Sequence, residues 1–94
     1  MARELIHDTE RHRYELRLDG ALASAADYIE RADSISFTHT FTDPKLRGQG
    51  LAGEVVAFAM DDVEHSSTLR VIPMCWYVGQ WFDEHPERQA LLTR

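Results

Sequence analysis

The stretch LRGQGLAG, residues 46–53, sets three glycines within six positions directly before an apolar run. Gly48 and Gly50 allow another group to approach the backbone closely, because no Cβ intervenes. In the run that follows, Ala52, Val55, Val56, Ala59, Met60 and Val63 fall at i, i+3, i+4, i+7, i+8 and i+11. That spacing predicts an amphipathic helix with one face on a core. No Ser, Thr, Asp or Asn stands in the loop to cap it, so its first N–H groups have no evident side-chain partner. A helix N-terminus of this kind favours an anion. Lys45 and Arg47 add local positive charge. A pyrophosphate fits this description, and so does a glycine-rich turn with water on its donors.

Outward from the loop, the remaining elements follow from pattern. RYELRL, residues 13–18, alternates, with Tyr14, Leu16 and Leu18 on one face and Arg13, Glu15 and Arg17 on the other. This is a half-buried strand. Asp19-Gly20 is a strong hairpin signal, and ALASAADYIE, residues 21–30, is the return strand. A turn at Ala32-Asp33 leads to SISFTHTFT, residues 34–42, where Ile35, Phe37, His39 and Phe41 are expected on one face. Asp43-Pro44 ends that strand. After the helix, LRVIP (69–73) reads as a short strand, CWYVGQWFDEH (75–85) as a second helix, and ERQALL (87–92) as a final turn or short helix. Asp61, Asp62 and Glu64 near the end of the first helix read as a solvated polar end. Residues 1–10 are polar and mixed, and fit either a loose arm or a first turn.

The expected order is β-β-β, loop, α, β, α. That is an α+β domain with a mainly antiparallel sheet, two main helices and one β-α-β crossover, in which the strand at 69–72 runs parallel to the one at 34–42. With 94 residues, a single domain over 1–94 is expected. The formal net charge of −6 argues against nucleic acid as the main partner. The one cysteine, Cys75, cannot form an internal disulfide. No run resembles a signal peptide or a membrane span, so the cytoplasm is the expected compartment and no membrane partner is expected. The five histidines are scattered, without H-x-x-x-H or C-x-x-C spacing, so no metal site is expected.

Gly48, Gly50 and Gly53 also spell the dinucleotide fingerprint G-x-G-x-x-G. That fold needs its first glycine close behind a buried strand and an acid roughly 20 residues on. Here Asp43 to Arg47 intervene, Arg70 stands near the acid's position, and the chain is short for the second half of such a fold. A Walker loop is excluded by the lack of Gly-Lys-Ser/Thr.

In the same loop, Arg47, Gly50 and Ala52 spell R-x-x-G-x-A, which resembles motif A of the GNAT N-acetyltransferases, Q/R-x-x-G-x-G/A. Asp19-Gly20, Tyr28, His39-Thr40, RGQGLA (47–52), VIPMCWYV (71–78) and HPE (85–87) occur in the order seen in a family of very small, single-domain GNAT-like proteins. The resemblance spans roughly residues 13 to 92 and implies a short GNAT-like fold that uses acetyl-CoA as co-substrate. By analogy, backbone N–H groups of Arg47, Gly48, Gln49, Gly50, Leu51, Ala52 and Gly53 would hold the pyrophosphate. The strand edge at Phe41-Thr42 would pair with the pantetheine amides, and the thioester would reach into a splay between that strand and the one at 69–72. The chain departs from larger GNAT enzymes in ending soon after the second helix, where the last strands that help build their acceptor site would be. The amine acceptor is therefore unidentified, and a binding module with little catalysis is the alternative. An open sheet edge would also allow pairing with another chain, including a homodimer.

Three residues are candidates for chemistry. Cys75 suits an acetyl-accepting thiolate or a pocket-lining residue, or packs as a small hydrophobe. His39 suits a general base near neutral pH, or a core histidine. Tyr77 resembles by region the tyrosine that protonates the departing CoA thiolate in many GNAT enzymes, or belongs with Trp76, Trp81 and Phe82 to a packing face. Glu54, one turn into the first helix, reads as solvated.

Overall fold

The computed structural model of the chain describes residues 2–94. Four antiparallel strands follow one another: β1 (Arg3–Asp8), β2 (Arg13–Leu18), β3 (Ala21–Glu30) and β4 (Ser34–Thr42). A 3-10 turn at Pro44–Leu46 leads to α1 (Leu51–Ser66). The crossover then delivers β5 (Arg70–Pro73), parallel to β4, followed by α2 (Trp76–Glu84) and a 3-10 helix at Pro86–Leu92. Spatial order equals chain order, β1-β2-β3-β4-β5.

The expected elements form where pattern put them, with one addition. Residues 3–8 are a sheet strand, neither arm nor turn. Asp19 latches this strand to the β2–β3 turn: its N–H donates to Ala2 O at 2.8 Å and its Oδ1 accepts from Ala2 N–H at 2.8 Å. Asp19 and Gly20 have φ +51° and +84°, the two-residue turn whose twist suits a hairpin.

One face of the sheet carries the core. Tyr14, Leu16, Tyr28, Ile35, Phe37 and Val71 meet Val55, Val56, Ala59, Met60 and Val63 of α1 and Val78, Trp81 and Phe82 of α2. Each Val, Leu, Ile, Phe or Met among them contributes about 1.5–3 kcal/mol by leaving water. The other face departs from simple alternation. Glu15, expected in solvent, is 1% exposed. Arg17 Nε lies 2.9 Å and Arg13 Nη1 3.6 Å from its carboxylate, so a buried charge is paired from both sides.

At the far end of α1, Asp61 and Glu64 are exposed as expected, while Asp62 is half-buried in a network of partners. Asp62 Oδ2 accepts from Tyr14 Oη at 2.7 Å and lies 3.3 Å from His7 Nδ1, while Oδ1 accepts from Ser66 Oγ at 3.0 Å. The His7 ring stacks on Tyr14 at 4.1 Å, and its Nε2 shares a 2.7 Å hydrogen bond with Tyr28 Oη. Arg88 pairs with Asp61 at 2.9 Å and Glu64 at 3.3 Å. The Arg94 guanidinium donates to the carbonyls of Val63, Glu64, Ser67 and Leu69 at 3.0–3.3 Å. These cations offset the misplaced acids and occupy carbonyls that the helix leaves unpaired.

Candidate active site

The near end of α1 is open. Gly48 and Gly50 have φ +86° and +75°, a left-handed backbone that side-chain-bearing residues rarely adopt. Gly50 is the N-cap residue and supplies no side-chain cap. The first helical bond runs from Glu54 N–H to Gly50 O at 3.2 Å. The amides before it, of Leu51, Ala52 and Gly53, therefore have no carbonyl within the helix. Asp43 holds the approach by accepting from Lys45 N–H at 3.0 Å, and Lys45 and Arg47 stand exposed beside the loop.

These groups border a cavity of about 470 Å³. Leu46, Arg47, Gly48, Gly50, Leu51 and Ala52 form one wall; Thr40 and Thr42 of β4 and Trp76 and Tyr77 of α2 form the other. The threonines face it because β4 contains a bulge. Phe37 pairs with Tyr28 and His39 with Asp27, leaving Thr38 without a partner. One extra residue reverses the alternation. Ile35 and Phe37 point into the core, but His39 and Phe41 turn to the opposite face. There, with Arg13, Leu22, Ala25 and Asp27, they line a separate cavity of about 290 Å³. The expected single face of Ile35, Phe37, His39 and Phe41 is thus corrected.

Beside the cavity the strands part. β5 pairs with β4 only from Ser34 to Phe37 and ends at Pro73, which has no N–H to continue the ladder. The last link is Cys75 N–H to Phe37 O at 2.9 Å. From Thr38 onward, no strand of the described residues lies beside this edge of β4.

Cys75 sits at the top of that gap as the N-cap residue of α2, half-buried, its Sγ 3.6 Å from Thr40 Oγ1. Burial pushes its pKa up. The Thr40 hydroxyl and the amides of Tyr77, Val78 and Thr40 outweigh that and hold the thiol below its ordinary value. The amides act without a formed side-chain cap bond. Tyr77 moves the other way: burial first, then the charge of Glu84, raises its pKa, so its phenol stays protonated at neutral pH. A Cβ on Gly53 would lie 3.5 Å from Tyr77 Oη, so the phenol occupies space that this glycine leaves beside α1.

A family model described as GCN5-related N-acetyl-transferase matches residues 13–91. The chain belongs to that family. A solved structure shares its fold. The crystal structure of ribosomal-protein-alanine N-acetyltransferase from Brucella melitensis biovar Abortus 2308 superposes with a TM-score of 0.56 at 16% identity. The match covers 78% of this chain and 61% of that one, so this chain spans about three fifths of the longer protein. Among curated proteins none matches.

The GCN5-related frame gathers some expected residues and separates others. Thr42, Arg47, Gly48, Gly50, Leu51, Ala52 and Tyr77 border one cavity. Gln49 is exposed on the loop, and Gly53 lies inside the first turn of α1. Cys75 reaches the cavity through Thr40. His39 and Phe41 lie on the other face. Glu54 is solvent-accessible, as expected, and also pairs with Arg3 at 2.6 Å. Thr40, Leu46 and Trp76 were not expected at the site. Trp76 is 76% exposed, whereas Trp81 and Phe82 are buried, so the expected packing face divides. Only a bulge signal at Thr38 would have pointed to Thr40, and strict alternation carries none.

Among the described residues, no group of three or more His, Cys, Asp or Glu is arranged to hold a metal ion, and no helix is long and apolar enough to cross a membrane.

Proposed function

We propose that this protein binds acetyl-CoA in the cavity beside α1 and transfers the acetyl group to an amine. One observation carries the reading: the uncapped N-terminus of α1, with Gly50 left-handed, opens onto a cavity bounded by the stretch of β4 beyond its pairing with β5 and by the start of α2. The free amides and helix dipole suit a pyrophosphate, and Lys45 and Arg47 supply charge. The unpaired edge of β4 suits the amides of pantetheine, and the thioester would lie near Thr40 and Cys75.

In the transfer, the amine nitrogen attacks the thioester carbonyl carbon and the C–S bond breaks. The nitrogen gives up a proton and the departing thiolate takes one. Tyr77, kept protonated, is the candidate donor. His39, next to the gap on the opposite face, suits an amine arriving from that side. Cys75 offers a second route, taking the acetyl group on Sγ and passing it to the amine.

Calorimetric titration with acetyl-CoA tests the reading, with NADPH and the Gly50→Glu variant as controls. Saturable binding of acetyl-CoA alone, lost in the variant, is expected. A folded sample that binds no acetyl-CoA would refute it. Release of CoA thiol on adding amines then separates an enzyme from a binding module.

A further inference from the structure

The two tryptophans of this chain have opposite surroundings. Trp81 is 4% exposed, stacked on His85 at 4.1 Å. Trp76 is 76% exposed, although burying an aromatic ring of this size is among the largest gains available to a side chain. It is not loose on the surface. Its ring stands edge-on to Tyr77, centroids 5.9 Å apart and planes at 80°. Tyr77 in turn is lodged against α1 beside Gly53. The indole is therefore fixed at one edge, borders the 470 Å³ cavity, and leaves most of its surface unmatched.

Its place in the chain gives its position along a bound ligand. Trp76 follows Cys75, whose Sγ meets Thr40. The glycine loop lies across the cavity. In coenzyme A the order is adenine, pyrophosphate, pantetheine, thioester. With the pyrophosphate on the α1 amides and the thioester near Thr40, the arm between them passes Trp76, while the adenine lies beyond the loop.

We propose that Trp76 covers the pantetheine arm and thioester of bound acetyl-CoA, burying its exposed face only when the ligand is present. This rests on the reading of the cavity as the acetyl-CoA site. The methylenes and thioester supply the apolar surface that the ring lacks, and the indole N–H can donate to a pantetheine carbonyl.

Tryptophan fluorescence with iodide as quencher tests it, comparing wild-type protein with Trp76→Phe, a surface change that leaves the core intact. Saturating acetyl-CoA should shift wild-type emission to the blue and abolish most iodide quenching, with neither effect in Trp76→Phe. S-acetylpantetheine should reproduce the shift, and adenosine 3′-phosphate 5′-diphosphate should not. Calorimetry on Trp76→Ala should show acetyl-CoA binding weakened about three- to tenfold. Calorimetric binding that leaves Trp76 accessible to iodide would overturn the inference alone. So would a full shift with the adenosine diphosphate fragment. No calorimetric binding of acetyl-CoA to the wild type would overturn the cofactor reading, and this inference with it.

Discussion

The hydroxyl of Tyr77 lies 3.5 Å from the point where a side chain on Gly53 would begin. Gly53 has an ordinary helical backbone, so no left-handed conformation requires glycine there. A single Cβ fits at normal contact distance. Gly53→Ala is expected to fold and to gain about 0.5–1 kcal/mol from helix propensity. Gly53→Leu should displace the phenol and weaken acetyl-CoA binding without unfolding the protein. Urea denaturation and calorimetry check the two halves.

Tyrosine ionisation offers a second test. The chain has three tyrosines, and all three have raised pKa values. Burial dominates in each; the Asp62 hydrogen bond adds to it at Tyr14. An acid with its pKa raised by folding keeps its proton in the native state where the unfolded chain has lost it. Its stabilisation is complete below pH 10, the ordinary phenol value, and declines above it. Tyrosinate absorbance should therefore rise later in native than in urea-unfolded protein. Stability should fall above pH 10, less steeply in Tyr14→Phe relative to its own neutral value.

Cys75 and Thr40 should be chemically coupled. Removing the hydroxyl in Thr40→Val deletes a donor to the thiolate, so the Cys75 pKa should rise. The pH profile of iodoacetamide alkylation checks this: the wild-type midpoint should lie below that of a free thiol and the variant midpoint above the wild type's. Identical profiles would show that the hydroxyl plays no part.

Arg94 should matter to the end of α1. Arg94→Ala vacates four carbonyls at once. A cost of about 1 kcal/mol is expected, the scale of an exposed helix-terminal cation. Hydrogen exchange should show the largest loss at residues 63–69.

Periodicity exposed most of this fold and misread the details that shape the site. α1, β2 and the Asp19-Gly20 turn carry patterns that tertiary packing leaves intact. β1 carries none. Arg3, Leu5 and His7 alternate with Glu4, Ile6 and Asp8, so each face mixes charge with apolar surface and neither repeats. The bulge at Thr38 is invisible for another reason: the residues alternate perfectly through it, and only pairing with β3 shows that the faces exchange. Alternation therefore places His39 on the wrong face and gives no sign of Thr40. Glu15 looked solvent-facing because nothing local shows Arg13 and Arg17 folding over it.

The clamped far end of α1 has a consequence for the timing of binding. His7, Tyr14, Arg88 and Arg94 hold that end from four other parts of the chain. The amides at its open end are then aligned before any anion arrives, and little order remains to be created on contact. Association should be a single kinetic phase, linear in ligand concentration, slowing with added salt as the attraction of Lys45 and Arg47 is screened. Loosening the clamp, at Asp62 or Arg94, should add a slow ordering phase at a point a whole helix away.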